Sequence, residues 1–390
     1  ASFNVVKAGW QVAFMAPTEI LAKQHFQSFS RFLKNFNTKI GLLTKNFSQI
    51  NEEKVKKKEI LEKLLKKEID ILVGTHSLIE EKVKFPKLGL AILDEQHRFG
   101  IEQRAKLSSQ NKEGLFCHFL SMTATPIPRT LALTLYGDLD ISILDQMPKG
   151  ERKVITKIVS QKEREKIYQF VREKINEGKK AFVVCPRIEE SKNPLGEEVK
   201  AVKKEFEYLS KEVFPDIKIG MVHGKMNSKD TEKVIKDFVN GEIKILVSTS
   251  IIEVGVDIPK ASILIVESAE SFGLAQLHQL RGRIGREGEE AFCFLFPSKT
   301  TKKIKERLKA ILRAKNGFQL AELDLKIRGP GEFFGKKQWG MPDVAMEALK
   351  NIKLVEKTRN LAKEILQKDP GLKNFPLLSQ KIKNIKINLQ

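Results

Sequence analysis

Two adjacent carboxylates, Asp94 and Glu95, follow directly on the apolar run Leu88–Leu93. A short apolar run between polar segments predicts a buried strand, and in open α/β sheets ligands bind at the carboxyl ends of strands. One carboxylate of such a pair can hold Mg²⁺ while its neighbour polarises water for attack on phosphorus. A strand that simply runs into a polar turn would show the same two residues, so the interpretation depends on further motifs.

Small hydroxyl side chains follow another apolar run. Thr123 and Thr125 come after the predicted strand Phe116–Ser121. In a tight turn at a strand end, such hydroxyls can relay hydrogen bonds to a neighbouring Mg²⁺ site. By itself the segment is a common kind of loop.

The segment from Gln279 to Arg286 reads QLRGRIGR, with arginines separated by glycines. Glycines allow close backbone approach, and guanidinium groups can neutralise charge that develops on a transferred phosphoryl group. Such arginine fingers contribute about 10³–10⁵ in rate where they are measured. A patch that binds the phosphate backbone of a nucleic acid is the alternative interpretation of the same arginines.

Strands and helices must position these residues. Short apolar runs alternate with longer helical patterns along the chain, and this alternation predicts an α/β fold with parallel sheets. The first group of predicted strands is Gln11–Ala16, Ile69–Val73, Leu88–Leu93 and Phe116–Ser121. The second group is Val154–Val159, Ala181–Cys185, Ile217–Val222, Ile243–Ser248, Ser262–Glu267 and Ala291–Phe296. Helices are predicted at Asn51–Lys67, Lys162–Glu177, Val199–Glu212 and Ser228–Asn240.

A polar stretch with Pro and Gly, Asp145–Arg152, predicts a linker between two α/β domains. From Lys299 onward, Lys-rich helical patterns replace the strands, and the Gly-rich segment Arg328–Gly335 forbids one continuous helix there. A single helix is expected from Val344 to about Lys368, followed by a turn and a short basic tail. The expected domains are residues 1–148, 149–300 and 301–390.

The composition favours a polyanionic partner. The 390 residues include 70 Lys and Arg against 49 Asp and Glu, a formal net charge of +21. Phosphate neutralisation releases counterions, although a Lys-rich surface can also serve only for solubility. The three cysteines lie in apolar runs without paired spacing, which predicts buried unpaired thiols in the cytoplasm. No apolar run reaches the roughly 18–20 residues that a membrane span needs.

The motifs form an ordered set that spans most of the chain. The motif segments are Ala16–Glu19, Gly74–His76, Asp94–His97, Thr123–Pro126, Ile252–Pro259 and Gln279–Arg286. Flanking residues read DEQHRFG from Asp94, TPIPRT from Thr125 and AQLHQLRGRIGR from Ala275. The set resembles the motifs of superfamily-two helicases, and the flanks resemble the RecG branch-migration helicases. This resemblance reaches to about Gly340 and implies two RecA-like domains in tandem.

The resemblance implies ATP and Mg²⁺ as cofactors, with Asp94 as the Mg²⁺ ligand and Glu95 as the catalytic base. Residues implied to reach the triphosphate are Gln279, Arg283 and Arg286, with Arg283 or Arg286 as the finger. Other residues implied near the nucleotide are Thr123, Thr125, Gly255 and Asp257. The DNA backbone would be contacted by Pro17, Thr18, Gly74, Thr75, Thr249 and Ser250.

The segment from Lys305 to Gly340 resembles the translocation motif of RecG and transcription-repair coupling factor, a helical hairpin followed by a loop. The residues at its key positions are Arg307, Arg328 and Gln338, which would couple cleft closure to movement on duplex DNA. Lys336–Trp339 departs from the usual loop sequence, which leaves the polar contacts of that loop open. Gln96 favours RecG, because coupling factors usually have a second Glu there.

Functionally, the resemblance implies an ATP-dependent double-stranded DNA translocase that remodels stalled replication forks and Holliday junctions in recombination and repair. Branched DNA would be the partner of a monomeric protein that does not bind membranes. Single-stranded DNA-binding protein is a second candidate partner. The alternatives are the motor of a transcription-repair coupling factor, an RNA helicase, and a nucleic-acid-binding module without catalysis.

One expected element is absent from the 390 residues, because they contain no GxxxxGK[ST] phosphate loop. The family has this loop before the helix that ends near Gly9, and its lysine and main-chain N–H groups cradle the β- and γ-phosphates. The chain starts with Ala1 and a helical pattern is already under way at Val5–Ala8. We therefore expect a fragment that also lacks the upstream wedge domain and has little ATPase activity alone.

Overall fold

The computed structural model describes residues 1–95, 117–124, 140–144, 153–186, 194–249, 261–285, 289–299, 301–314, 316–328 and 352–384. Over these residues the chain folds into two compact units. The first unit contains residues 1–95 and 117–124, and the second contains the described residues from 140 onward. The predicted linker at 145–152 lies outside the described residues.

The first unit is built on a seven-stranded sheet, as far as its described residues go. Its helices are α1 (Ser2–Lys7), α2 (Glu19–Phe32) and α3 (Lys57–Leu65). Its strands are β1 (Gln11–Met15), β2 (Ile40–Leu43), β3 (Ser48–Ile50), β4 (Glu53–Lys54), β5 (Ile71–Gly74), β6 (Leu88–Leu93) and β7 (His118–Ser121). The strand order is β4-β3-β2-β5-β1-β6-β7, in which β2–β3 and β3–β4 are antiparallel and the other pairs parallel.

Strand β1 is central in this sheet and is buried on both faces. Val12 and Phe14 pack in the core that α2 covers, whereas Ala13 and Met15 pack in the core that α3 covers. A strand that is covered on both sides reads as a continuous apolar run, which is why β1 could be predicted from sequence. The amide of Gln11 satisfies the buried carbonyls of Leu64 and Ile69 at 3.0 Å each.

The antiparallel edge of the first sheet was not predicted. The expected helix Asn51–Lys67 is wrong at its start, because β4 occupies Glu53–Lys54 and the helix is Lys57–Leu65. Asn51 has a φ of +47° and its side-chain oxygen accepts a hydrogen bond from the Ile40 amide at 3.0 Å. Asn tolerates the left-handed region, so it turns the chain into a hairpin where the charge pattern indicated a helix.

The second unit holds a six-stranded sheet, all parallel, among its described residues. Its strands are β8 (Lys153–Ile158), β9 (Ala181–Cys185), β10 (Ile219–Val222), β11 (Ile245–Thr249), β12 (Ile263–Glu267) and β13 (Glu290–Phe296), in the order β10-β11-β9-β12-β13-β8. Its helices are α4 (Arg164–Asn176), α5 (Pro194–Tyr208), α6 (Ser228–Asn240), α7 (Leu274–Arg281), α8 (Lys302–Arg313), α9 (Gly317–Arg328), α10 (Ile352–Lys368) and α11 (Pro376–Asn384).

All of the predicted strands are confirmed, with end residues that shift slightly, and the fold class is the expected one: two parallel-sheet, RecA-like α/β domains. The predicted helix Ser228–Asn240 is confirmed over its whole length, and Gly241, with a φ of +88°, ends it. The expected basic tail is wrong in part, because Pro376–Asn384 forms a helix. The domain boundaries at 148 and 300 stay predictions.

The thiols of all three cysteines are free. Cys185 and Cys293 are buried in the second sheet, as expected, whereas Cys117 is only half-buried next to β7. Burial raises the pKa of the Cys293 thiol to about 12, so it behaves as a small apolar side chain. No described helix is both long and apolar enough to cross a bilayer.

Candidate active site

Four neighbouring parallel strands of the first unit, in the order β5-β1-β6-β7, end at one edge of the sheet. Backbone hydrogen bonds continue the ladders past the strand ends: the amide of Ala16 donates to Gly74, that of Asp94 to Met15, and that of Met122 to Leu93, at 2.8–2.9 Å. Parallel strands present their carboxyl ends together. The residues that four separate motifs contribute therefore meet along this edge.

Asp94 lies at the centre of this edge, and its carboxylate contacts α2. The Oδ2 atom of Asp94 is 2.9 Å from Nε2 of His25. The two side chains are 19% and 29% exposed, respectively, so the pair is partly shielded but open to solvent. The second oxygen of Asp94 is thus available for another ligand while the first is engaged.

Glu95 differs from Asp94 in both burial and backbone conformation. It is only 8% exposed, and its φ of +54° lies in the left-handed region, which is unusual for a residue with a side chain. The Thr123 hydroxyl donates to Glu95 Oε2 at 3.3 Å, so the turn after β7 contacts the second carboxylate directly. Local backbone strain of this kind tends to occur at functional sites, where the surrounding structure enforces it.

The donor set at this edge suits Mg²⁺ held jointly with a ligand. Among the described residues there is no group of three or more His, Cys, Asp or Glu that could hold a metal by itself. Mg²⁺ commonly binds through one or two carboxylates and completes its octahedral shell with water and phosphate oxygens. A half-buried Asp94 carboxylate beside Glu95 provides such hard oxygen ligands, so the residues present fit the ion.

The residues predicted to contact a DNA backbone in this unit lie at the neighbouring strand ends. Thr18 is the N-cap of α2, where its hydroxyl accepts from the Leu21 amide at 3.3 Å, and Pro17 precedes it. Thr75 is largely buried and leads into a short 3₁₀ turn. Gly74 has a structural reason to lack a side chain, because a Cβ there would lie 2.3 Å from the carbonyl oxygen of Leu43.

The remaining described candidates belong to the second unit. Gln279 is half-buried on α7, and Arg283 is half-buried in the turn that follows this helix. Gly285 has a φ of +82° and a Cβ there would meet Ala291 at 2.9 Å, so glycine is required at this position. Gly282, in contrast, has ordinary helical geometry. Thr249 ends β11 and is only 1% exposed, so a phosphate contact would require a local rearrangement.

The hairpin of α8 and α9 packs against α7, which carries Gln279, and two arginines join them. Arg307 of α8 donates from Nη1 to the carbonyl of Glu270 at 2.7 Å and from Nη2 to that of Phe272, just before α7. Arg281, at the other end of α7, donates to the carbonyl of Ile311 in α8 at 3.0 Å. The hairpin therefore holds α7 at both of its ends.

Several predicted site residues lie outside the described residues. They are Thr125, Ser250, Gly255, Asp257, Arg286 and Gln338. Arg328 ends α9, and only its backbone is described. The structure also adds two residues that sequence reasoning missed, His25 and Arg281. Arg281 stood inside a recognised motif, whereas only a prediction of which residues meet in space could have selected His25.

Three protein families match successive parts of the chain. Residues 2–134 match the DEAD/DEAH box helicase family, and residues 151–288 match the helicase conserved C-terminal domain. Residues 314–389 match the family described as ATP-dependent DNA helicase RecG, domain 3, C-terminal. The last match includes α9, α10 and α11.

Individual relatives match nearly the whole chain. The ATP-dependent DNA helicase RecG of Synechocystis sp. is 41% identical over 98% of this chain and 45% of its own length. That of Thermotoga maritima is 45% identical over 92% of this chain and 45% of its own length. A solved RecG bound to a three-way DNA junction is 41% identical, with a TM-score of 0.67 over 89% of this chain and 44% of that one. The chain spans about half the length of these relatives, and it belongs to the RecG family.

Proposed function

We propose that the protein carrying this chain is an ATP-dependent DNA helicase that translocates on double-stranded DNA and remodels stalled forks and Holliday junctions in recombination and repair. The observation that carries the proposal is the shared strand edge, where Asp94, Glu95 and Thr123 lie beside the turns that hold Thr18 and Thr75. The relatives named ATP-dependent DNA helicase RecG support the activity, and the RecG bound to a three-way junction supports branched DNA as the partner.

In this proposal each carboxylate has its own task. Asp94 contributes an oxygen ligand to Mg²⁺, which when bound would neutralise charge on the phosphates of ATP. Glu95, buried and held by Thr123, accepts the proton of the attacking water. We assign to Gln279, Arg283 and Arg286 the stabilisation of the charge that develops on the transferred phosphoryl group, which polar and cationic side chains can supply.

The nucleic acid would contact the first unit through Pro17, Thr18, Gly74 and Thr75, and the second through Thr249 and Ser250. Contacts of this type go to phosphate and sugar and do not depend on base sequence.

For the nucleotide, ATP, we propose Thr125, Gly255 and Asp257 as further residues of the binding site. We further propose that the protein is cytoplasmic, and its free cysteines support this location. We also propose that it is a monomer and that single-stranded DNA-binding protein is a second partner. The coupling-factor alternative is not favoured, because the match at 314–389 is to RecG.

The test is Glu95→Gln in the full-length protein. DNA-stimulated phosphate release is expected to fall by about 10²–10⁴, because the amide cannot accept the water proton, while DNA binding persists. Glu81→Gln, an exposed carboxylate of the same unit, is the matched control and should leave turnover unchanged. A polypeptide of residues 1–390, which contains no GxxxxGK[ST], should show little turnover. Equal phosphate release by the Glu95 and Glu81 variants would instead support a nucleic-acid-binding module without catalysis.

A further inference from the structure

His25 is the only described side chain shown in direct hydrogen-bond contact with the Asp94 carboxylate. Its Nε2 lies 2.9 Å from Oδ2 of Asp94. A carboxylate only accepts hydrogen bonds, so the histidine ring donates from Nε2. The contact joins α2 to the end of β6, two elements that are distant in sequence. It therefore exists only because the tertiary fold brings them together.

The imidazole ring is held in place from its other side. The rings of His25 and Phe14 are tilted against each other with centroids 4.4 Å apart, and Phe14 itself is buried on β1. The next residue, Phe26, is buried in the same core and fixes this turn of α2. A ring packed on one face and hydrogen-bonded at one nitrogen has little rotational freedom. It can thus hold the Asp94 carboxylate in one orientation.

A fixed carboxylate matters because metal affinity depends on how the ligand oxygens are oriented before the metal arrives. Partners that hydrogen-bond to a metal ligand typically change metal affinity by about 10–100-fold when they are removed. At this site His25 engages Oδ2 and leaves Oδ1 of Asp94 for the ion. Glu95 has a separate partner in Thr123, so His25 acts on the Mg²⁺ ligand and not on the proposed base.

We propose that His25 is a positioning residue that orients the Asp94 carboxylate and thereby sets the affinity of the nucleotide site for its divalent cation. The inference rests on the proposed function, because it requires a nucleotide-bound Mg²⁺ at Asp94. His25 itself touches neither the cation nor the reacting atoms in this assignment. Its loss should therefore raise the divalent-cation requirement more than it lowers turnover at saturating cation.

The test compares two substitutions of nearly equal size in the full-length protein, His25→Gln and His25→Met. A glutamine amide can donate toward Asp94 from about the position of Nε2, whereas methionine cannot. Binding of Mn²⁺ in the presence of ADP, followed by electron paramagnetic resonance, is expected to weaken about tenfold in His25→Met and to stay close to wild type in His25→Gln. The Mg²⁺ concentration that half-saturates ATPase activity should shift in parallel.

Gln27→Ala, an exposed position on the same helix, is the control for general effects on α2 and should bind Mn²⁺ like the wild type. Unchanged Mn²⁺ affinity in His25→Met, or equal losses in His25→Met and His25→Gln, would overturn the inference while leaving the proposed function intact. Failure of the wild-type protein to bind Mn²⁺ with ADP would overturn the proposed function itself, and the inference with it.

Discussion

At the scale of single residues, an acidic cluster is buried at the carboxyl edge of the second sheet. Glu267 ends β12, with its side chain 11% exposed, and forms an ion pair with Arg164 of α4. Tyr168 of α4 and Glu205 of α5 interact electrostatically with the same group. Burial, reinforced by Glu205 and partly opposed by Arg164, raises the pKa of Glu267 to about 7. Two carboxyl groups thus share one guanidinium, and one of them retains a proton near neutral pH.

This cluster makes the stability of the second unit depend on pH. The pKa of Glu267 is higher in the folded state than its ordinary value of 4.5, so folding favours the protonated form. This stabilisation is complete below about pH 4.5 and is lost as the pH rises through about 7. We expect the free energy of unfolding to fall by about 1–3 kcal/mol between about pH 5 and about pH 7.5. Urea unfolding followed by circular dichroism measures it.

Glu267→Gln should remove most of this pH dependence, because the neutral amide fills the same space and does not titrate. Glu207→Gln changes an exposed carboxylate on α5 and serves as the control. If both variants keep the pH dependence of the wild type, the cluster is not its source.

At the scale of elements, the α8–α9 hairpin has the contacts needed to move with α7. Arg307 binds the two carbonyls just before α7, and Arg281 binds α8 from the end of α7. The ring of His278 lies beside Arg281. Burial lowers the pKa of His278 to about 4, so the ring that contacts Arg281 is neutral. A displacement of α7, which carries Gln279, would be transmitted to the hairpin through these hydrogen bonds. This is a physical basis for the proposed coupling role of Arg307.

Arg307→Met is expected to separate ATP hydrolysis from movement on DNA. Loss of two charge-assisted hydrogen bonds should loosen the hairpin and reduce duplex translocation by about tenfold or more, while DNA-stimulated ATPase activity is largely retained. Displacement of a triplex-forming strand reports translocation, and phosphate release reports hydrolysis. Arg313→Met, an exposed arginine on the same helix, is the control. A parallel fall in both activities would argue against a coupling role.

At the scale of the whole molecule, the net charge of +21 is the dominant feature. Many described lysines lie in ion pairs with glutamates on the surface, such as Lys57–Glu80 and Lys63–Glu59, and these pairs contribute little to stability. Because basic residues outnumber acidic ones, part of the positive charge has no acidic partner within the protein and is available to a polyanion. It favours association with the phosphate backbone through the release of counterions.

DNA affinity should accordingly fall steeply with salt. For a site that neutralises several phosphates, we expect a loss of about 10²–10³ between about 50 and about 200 mM salt. Fluorescence anisotropy with a labelled three-way junction and a linear duplex of the same length measures both the slope and any preference for branches. An affinity that is insensitive to salt would show that phosphate contacts do not dominate binding.

Much of the fold and of the candidate site could be predicted from the sequence. Strands such as β1 and β6 are short apolar runs because they are buried on both faces, and the carboxylates of Asp94 and Glu95 follow β6 at the end where ligands bind. Periodicity is a property of neighbouring residues, so it survives in the sequence alone. The order of the motifs along the chain is also a property of the sequence alone, and this order indicated the family.

Contacts between distant segments were decided only by the tertiary structure. The β3–β4 hairpin depends on the hydrogen bond from the Ile40 amide to Asn51, and the orientation of the Asp94 carboxylate depends on the fold bringing His25 of α2 next to it. The local sequence around either residue does not predict such a contact, because the free energy of the contact depends on both residues together. The sequence therefore identified which residues could carry chemistry, and the fold determined which neighbours orient them.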